Sequence, residues 1–148
     1  MIRNTNWDKR FIDLSEHVSN WSKDTPKVGC TIVDQYNKVL STGYNGMPSW
    51  FDDEHLLEIE DLKPHLITHA EINALNCLSK EHYNKELVFY ITKPPCIYCA
   101  TSIAYSCLKV KKVYYVDNTS EHFKTKYKLQ ESLDLFLKRG ILVEKIVI

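Results

Sequence analysis

The chain has 148 residues, 44% of them hydrophobic and 11% aromatic, which is enough for one globular domain, residues 1–148, with a sizeable core. Its 19 basic and 19 acidic residues cancel to a formal net charge of zero, which excludes the broad positive field that long nucleic acids and anionic membranes attract. No run of 18 apolar residues is present, and the opening MIRNTNWDKRF lacks the apolar core of a signal peptide. A cytoplasmic protein is therefore expected. Its five cysteines (Cys30, Cys77, Cys96, Cys99 and Cys107) are odd in number, which argues against a disulfide framework and leaves reduced thiols available as ligands.

In chain order, Trp7, Phe11, Leu14, Val18 and Trp21 recur at helical spacing and predict a first helix over about 7 to 22. After a polar loop, CTIVD and KVLSTGYN read as two strands of a hairpin joined by QYNK. The stretch from 46 to 64 carries Gly46, Pro48, Pro64 and six acids between 52 and 61, and reads as a long loop with a short helix. Ile72, Leu75 and Leu78 support a second helix from 69 to about 80, and LVFYIT, 87 to 92, reads as a buried strand. A third helix is expected over 96 to 108 and a strand at 112 to 116. Leu129, Leu133, Phe136 and Leu137 then lie on one face of a last helix stopped by Gly140, and ILVEKIVI closes the chain as a strand. This order implies an α/β fold with a five-stranded sheet, helices on both faces and helical crossovers between the later strands.

Two short stretches carry chemistry. In KPPCIYCA, Cys96 and Cys99 stand three apart at a helix start, where both sulfurs can turn to one point and the helix N-terminus favours thiolates. That is half of a zinc site. A purely structural site would close with four protein ligands, but no second Cys-x-x-Cys is present. His17, Cys30, His55, Cys77, His82, Cys107 and His122 are unpaired at ligand spacings, and of His65 and His69, four apart, His69 of THAEINA, with Glu71 two residues on, is the best third ligand. Three protein ligands and an open fourth position are the catalytic arrangement, in which a bound water ionises near neutral pH. Residues two apart on a helix lie about 200° apart, so His69 and Glu71 share a side only if His69 sits at the helix threshold. There Glu71 is placed for general acid and base work on the water.

His-x-Glu followed by Pro-Cys-x-x-Cys is the signature of zinc-dependent nucleobase deaminases. SKDTPKVGCTIVD, STGYNGMP, HAEINAL, PPCIYCATSI and KKVYYVD resemble, in order and spacing, the successive blocks of deoxycytidylate (dCMP) deaminases, from about Trp7 to Asp117. The resemblance implies a cytidine deaminase-like three-layer α/β/α sandwich with a mixed five-stranded sheet. It also implies Glu71 as proton shuttle, His69, Cys96 and Cys99 as zinc ligands, one Zn²⁺ per chain, and hydrolysis of dCMP to dUMP and ammonia. Members are commonly oligomers, often hexamers, activated by dCTP and inhibited by dTTP. A nucleoside triphosphate with Mg²⁺ is accordingly expected where the 46 to 64 segment meets a neighbouring subunit.

The candidate substrate contacts are Asn45, which matches the family residue that touches deoxyribose and also suits a turn before Gly46, together with Ala70, Lys27 and Lys124. A monophosphate needs cationic or N–H donors, and Lys23 joins Lys27 and Lys124 as a candidate. The family tyrosine that follows the fourth strand has its nearest equivalent in Phe123, with Tyr127 one turn on. Cys30, Cys77 and Cys107 read as small core residues, Trp50 and Phe51 as core or pocket cover, and the acidic run as a solvated face. The rival readings are a free cytidine deaminase, which more commonly has cysteine at the place of His69, a tRNA adenosine deaminase, which must hold a polyanion, and a catalytically silent nucleotide-binding zinc module, for which Glu71 would have no use.

Overall fold

A computed structural model of the chain describes residues 5–47 and 63–147. Trp50, Phe51 and the acids between 52 and 61 lie outside the described residues, as does most of the expected long loop. The elements follow one another as α1 (Thr5–Ser19), β1 (Gly29–Val33), β2 (Val39–Tyr44), α2 (Lys63–Leu66), α3 (Ala70–Asn76), β3 (Glu86–Ile91), α4 (Ile97–Ala104), β4 (Lys109–Val116), α5 (Glu121–Lys126), α6 (Leu129–Lys138) and β5 (Leu142–Ile146).

The five strands form one mixed sheet in the order β2-β1-β3-β4-β5. β1 runs antiparallel to β2 and to β3, while β3, β4 and β5 are parallel, so α4 and the α5 and α6 pair serve as crossovers. Helices cover both faces. Ala70, Ala74, Leu78, Ala100, Ile103, Ala104 and Phe136 of the α3, α4 and α6 side pack with Ile32, Phe89, Ile91 and Val113 of the sheet. On the other face Phe11 and Ile12 of α1 meet Val33, Val88, Tyr90 and Tyr114. β1 lies between two covered faces, and all five of its residues are buried.

Two glycines set how close the helices come. A Cβ on Gly29 would fall 1.9 Å from the Ser15 carbonyl oxygen of α1, and one on Gly43 would fall 2.4 Å from the Ala70 carbonyl oxygen of α3. The start of α3 is thereby pressed onto β2. Gly46 and Thr68 form an isolated antiparallel bridge, exchanging N–H···O bonds of 2.9 and 3.0 Å. The Asn73 side-chain amide donates to the Tyr44 carbonyl at 2.7 Å and also reaches those of Gly46 and Thr68. The end of β2 and the entry to α3 are thus tied together.

Several boundaries differ from the sequence expectation. The first helix ends at Ser19, where Asn20, Trp21 and Ser22 turn through i to i−3 bonds, and Trp21 is exposed. The helix after His69 ends at Asn76, with Cys77 as its C-cap, because the Leu78 amide closes onto the Leu75 carbonyl in an i to i−3 bond and the chain leaves to bury Leu78. The helix after Cys96 ends at Ala104, and β4 begins three residues early, with Lys109 and Lys111 outward around a buried Val110. α5 is an additional helix, started by Ser120, whose hydroxyl accepts from the Phe123 amide. Gly140 stops α6 at φ +80°, as expected. Cys30 is a core residue; Cys77 and Cys107 are exposed, the first at a helix C-cap and the second in the turn before β4, and this corrects their reading as core.

Candidate metal centre and cleft

Both chemical stretches lie at helix N-termini at one end of the sheet. His69 is the residue before α3, with extended backbone at φ −68° and ψ 157°, and its carbonyl accepts the Asn73 amide at 3.0 Å. Because His69 is outside the helix and Glu71 is in its first turn, the two side chains share a side. Cys96 holds the equivalent place before α4, at φ −73° and ψ 166°, and its sulfur accepts the Cys99 amide at 3.5 Å. Free helix-start amides of this kind stabilise anionic sulfur.

The His69 Nδ1 atom lies 3.4 Å from Cys96 Sγ and 3.2 Å from Cys99 Sγ. The three donor atoms all fall within 4.8 Å of one another. A tetrahedral ion with Zn–N of ~2.0 Å and Zn–S of ~2.3 Å sets its N and S donors roughly 3.5 Å apart, so this donor set fits zinc in spacing and in ligand type. Among the described residues no other cluster of histidine, cysteine and acidic side chains has that arrangement.

The electrostatics agree. The hydrogen bond from Cys99, with those from His69 and the Cys99 amide, draws the Cys96 thiol down to about 4 against the cost of burial. The same bond to Cys96, with burial, pushes the Cys99 thiol up. Without a metal the two sulfurs therefore share one proton. His69 is raised, first by its hydrogen bond to Cys96, with burial opposing. Glu71 is buried against this cluster, and desolvation, followed by the charge of Cys96, raises its carboxyl above the usual range, while interaction with the Cys99 thiol works the other way.

The cluster opens into a cleft of about 680 Å³. Its floor is His69, Ala70, Glu71 and Cys96, and its walls are residues 23–26, Val28, Asn45, Ile67, Lys93, Pro94, Phe123 and Tyr127. The Phe123 and Tyr127 rings stand 4.3 Å apart, centroid to centroid. The Asn45 amide holds the 26–28 stretch in place, accepting from the Val28 amide and donating to the Pro26 carbonyl, both at 2.8 Å. Of the expected substrate contacts, Ala70 and Asn45 line this cleft, and so do Phe123 and Tyr127. Lys27 and Lys124 are not among the residues that line it. Lys27 turns back to the Asn20 carbonyl at 3.3 Å beyond the end of α1, and Lys124 is drawn to Asp117 at 2.9 Å and Glu121 at 3.4 Å. Among the described residues the lysines that line the cleft are Lys23 and Lys93, the latter donating to Asn118 Oδ1 at 3.2 Å. Lys93 escaped the sequence reading. Its signal was positional: it stands three residues before the Cys96 ligand, just past the C-terminal end of β3, where open α/β sheets bind ligands.

A three-donor centre of histidine and two cysteines beside a buried glutamate, on an α/β sheet, defines a metal-dependent hydrolase site of the nucleobase deaminase class. The family profile described as the cytidine and deoxycytidylate deaminase zinc-binding region matches residues 5–117. An uncharacterised deaminase of Aliivibrio fischeri is 30% identical over 137 residues, covering 91% of this chain and 90% of its own. A probable deoxycytidylate deaminase of Caenorhabditis elegans is 36% identical over 121 residues, 76% of this chain, which spans 58% of that relative's length. The crystal structure of the dCMP deaminase from the cyanophage S-TIM5 in complex with dCMP and dUMP superposes with a TM-score of 0.73 at 29% identity, covering 98% of this chain and all of that one. The chain belongs to the cytidine and deoxycytidylate deaminase family, and the sheet seen here is the fold that family uses.

Proposed function

We propose that the protein hydrolyses dCMP to dUMP and ammonia. The observation that carries this reading is Glu71, a buried carboxyl beside an incomplete three-donor metal set, facing a cleft whose mouth holds Lys23 and Lys93. His69, Cys96 and Cys99 are the residues that would hold zinc, which when bound supplies a water acidified to near neutrality. Glu71 would take one proton of the attacking water and pass it to N3 of the pyrimidine, then take the second from the oxygen now on C4 and deliver it to the departing 4-amino group. Its raised proton affinity suits it to hold the proton between those transfers. Water's oxygen replaces the amine at C4, and ammonia leaves.

Ala70 and the Phe123 and Tyr127 rings form apolar surfaces against which a flat base fits. Asn45 faces the deoxyribose while bracing the wall behind it. Lys93 and Lys23 take the place expected of Lys27 and Lys124 as donors to the 5′-phosphate. The dUMP so formed would feed dTMP synthesis, and a homo-oligomer, a hexamer, activated by dCTP and inhibited by dTTP with Mg²⁺, completes the proposal; these last features rest on family membership alone.

Ammonia release from dCMP, CMP, deoxycytidine and adenosine-containing tRNA, measured in parallel, tests the substrate. We expect dCMP to be used best. Equal use of dCMP and deoxycytidine would favour a nucleoside enzyme, and release from tRNA alone would replace the reading. Saturation curves for dCMP with dTTP, with dCTP and with neither test regulation, because effector and substrate must alter each other's affinity by the same factor.

A further inference from the structure

Two consecutive prolines, Pro94 and Pro95, precede the ligand Cys96. Neither has a backbone N–H, so this stretch offers its surroundings carbonyls but no amide donors. The structure supplies a donor from an unexpected place. Ser132, in the fourth position of α6 and completely buried, donates its hydroxyl to the Pro95 carbonyl at 2.9 Å. On the other side of Cys96, the Ile97 amide donates to the Tyr127 carbonyl at 3.1 Å. Cys96 is therefore gripped on both flanks by the corner between α5 and α6. Residues 127 and 132 both lie beyond the 5–117 span that the family profile matches.

We propose that Ser132 is a positioning residue for the metal centre: through Pro95 it fixes the backbone that aims the Cys96 sulfur at His69 and Cys99. A serine in the middle of a helix, pointed at a packed neighbouring helix, brings no apolar area to the core, and its hydroxyl is costly to bury unless bonded. Its bond to the residue before a ligand gives that burial a purpose. The logic is that of outer partners which orient metal ligands and whose loss typically weakens metal binding by ~10 to 100-fold. The inference rests on the reading that His69, Cys96 and Cys99 hold zinc.

The test compares Ser132→Ala, Ser132→Thr and, as a control for loss of packing in the same helix, Phe136→Leu, each measured for thermal stability and for zinc affinity by chelator competition. Ser132→Ala is expected to weaken zinc binding by at least ~10-fold, as outer-partner losses do, with Ser132→Thr closer to wild type, and Phe136→Leu is expected to lower stability while leaving zinc affinity nearly intact. Wild-type affinity in Ser132→Ala, or equal weakening in Phe136→Leu, overturns the proposal. If Ser132→Ala does not fold, hydrogen exchange of the wild-type protein decides: zinc must slow exchange across residues 129–136 as well as 97–104, by the reciprocity of linkage, and unchanged exchange over 129–136 overturns it. A wild-type protein that takes up no zinc removes the metal reading and this inference together, whereas zinc bound equally by wild type and Ser132→Ala removes this inference alone.

Discussion

The floor of the cleft and its mouth are built by different means. On the floor, His69 and Cys96 are helix-capping residues whose backbone is fixed by the first turns of α3 and α4, and Glu71 and Cys99 lie in those turns, buried. At the mouth, Lys23 is an exposed loop residue and Lys93 a half-buried one, and what they reach depends on long flexible side chains. Under the proposed function, the contrast separates chemistry from choice of substrate. Groups that must meet within a fraction of an ångström are placed by secondary structure, while groups that read a charged substituent are placed by loops.

If the floor is the metal centre, the double variant Cys96→Ala, Cys99→Ala should lose zinc altogether, read by elemental analysis of protein purified without chelator. Full retention would move the metal elsewhere. Glu71→Ala should keep zinc and fold yet lose between ~10²- and 10⁴-fold in turnover, the range for a general acid and base; near-normal turnover would transfer the proton work to another group.

Zinc affinity should also rise with pH. Below the raised pKa of His69, binding must displace protons from both His69 and Cys99, whereas Cys96, held at about 4, is already ionised. The log of the affinity should then climb by about two per pH unit, easing to about one above the His69 pKa, because bound ligands must be deprotonated. A flat profile in chelator competition would contradict the shared-proton arrangement of the sulfurs.

The mouth is sharpened by smaller effects. Lys93→Ala should raise KM for dCMP by roughly tenfold, the equivalent of ~1.4 kcal/mol, and leave deoxycytidine kinetics unchanged. A parallel rise for the nucleoside would mean that Lys93 shapes the cleft and does not read phosphate. Lys27→Ala should change neither KM by more than about twofold, because an exposed side chain that bonds a distant carbonyl contributes little to the site. A large effect on dCMP alone would restore Lys27 to the phosphate end.

The same division explains what could be read from the sequence. His-x-Glu and Cys-x-x-Cys are local patterns, so their placement at two helix starts followed from spacing, and the five strands followed from their apolar runs, whereas their order is seen only in the structure. Lys27 and Lys124 stand in loops next to the site, but the direction of a side chain is not encoded in position along a loop. Lys27 bonds the Asn20 carbonyl and Lys124 pairs with Asp117, partners seven residues away that no local pattern marks. Boundaries slipped where tertiary demands ended a helix early, as at Asn76, where the chain leaves α3 to bury Leu78. α5 had a readable sign in Ser120 followed by Glu121, a cap and an acidic first turn, but at six residues it has too few apolar positions to show a period.

The bridge between Gly46 and Thr68 gives the fold room to vary. Chain that leaves the sheet at Gly46 returns beside it at Thr68, and the Asn73 amide secures both sides of that junction. Since the entropy of closing a loop grows only with the logarithm of its length, at about 0.6 kcal/mol per doubling, the number of residues carried between those points is nearly independent of the geometry of the metal centre. A change in the length of that stretch should therefore cost the fold little and leave the metal centre's geometry intact.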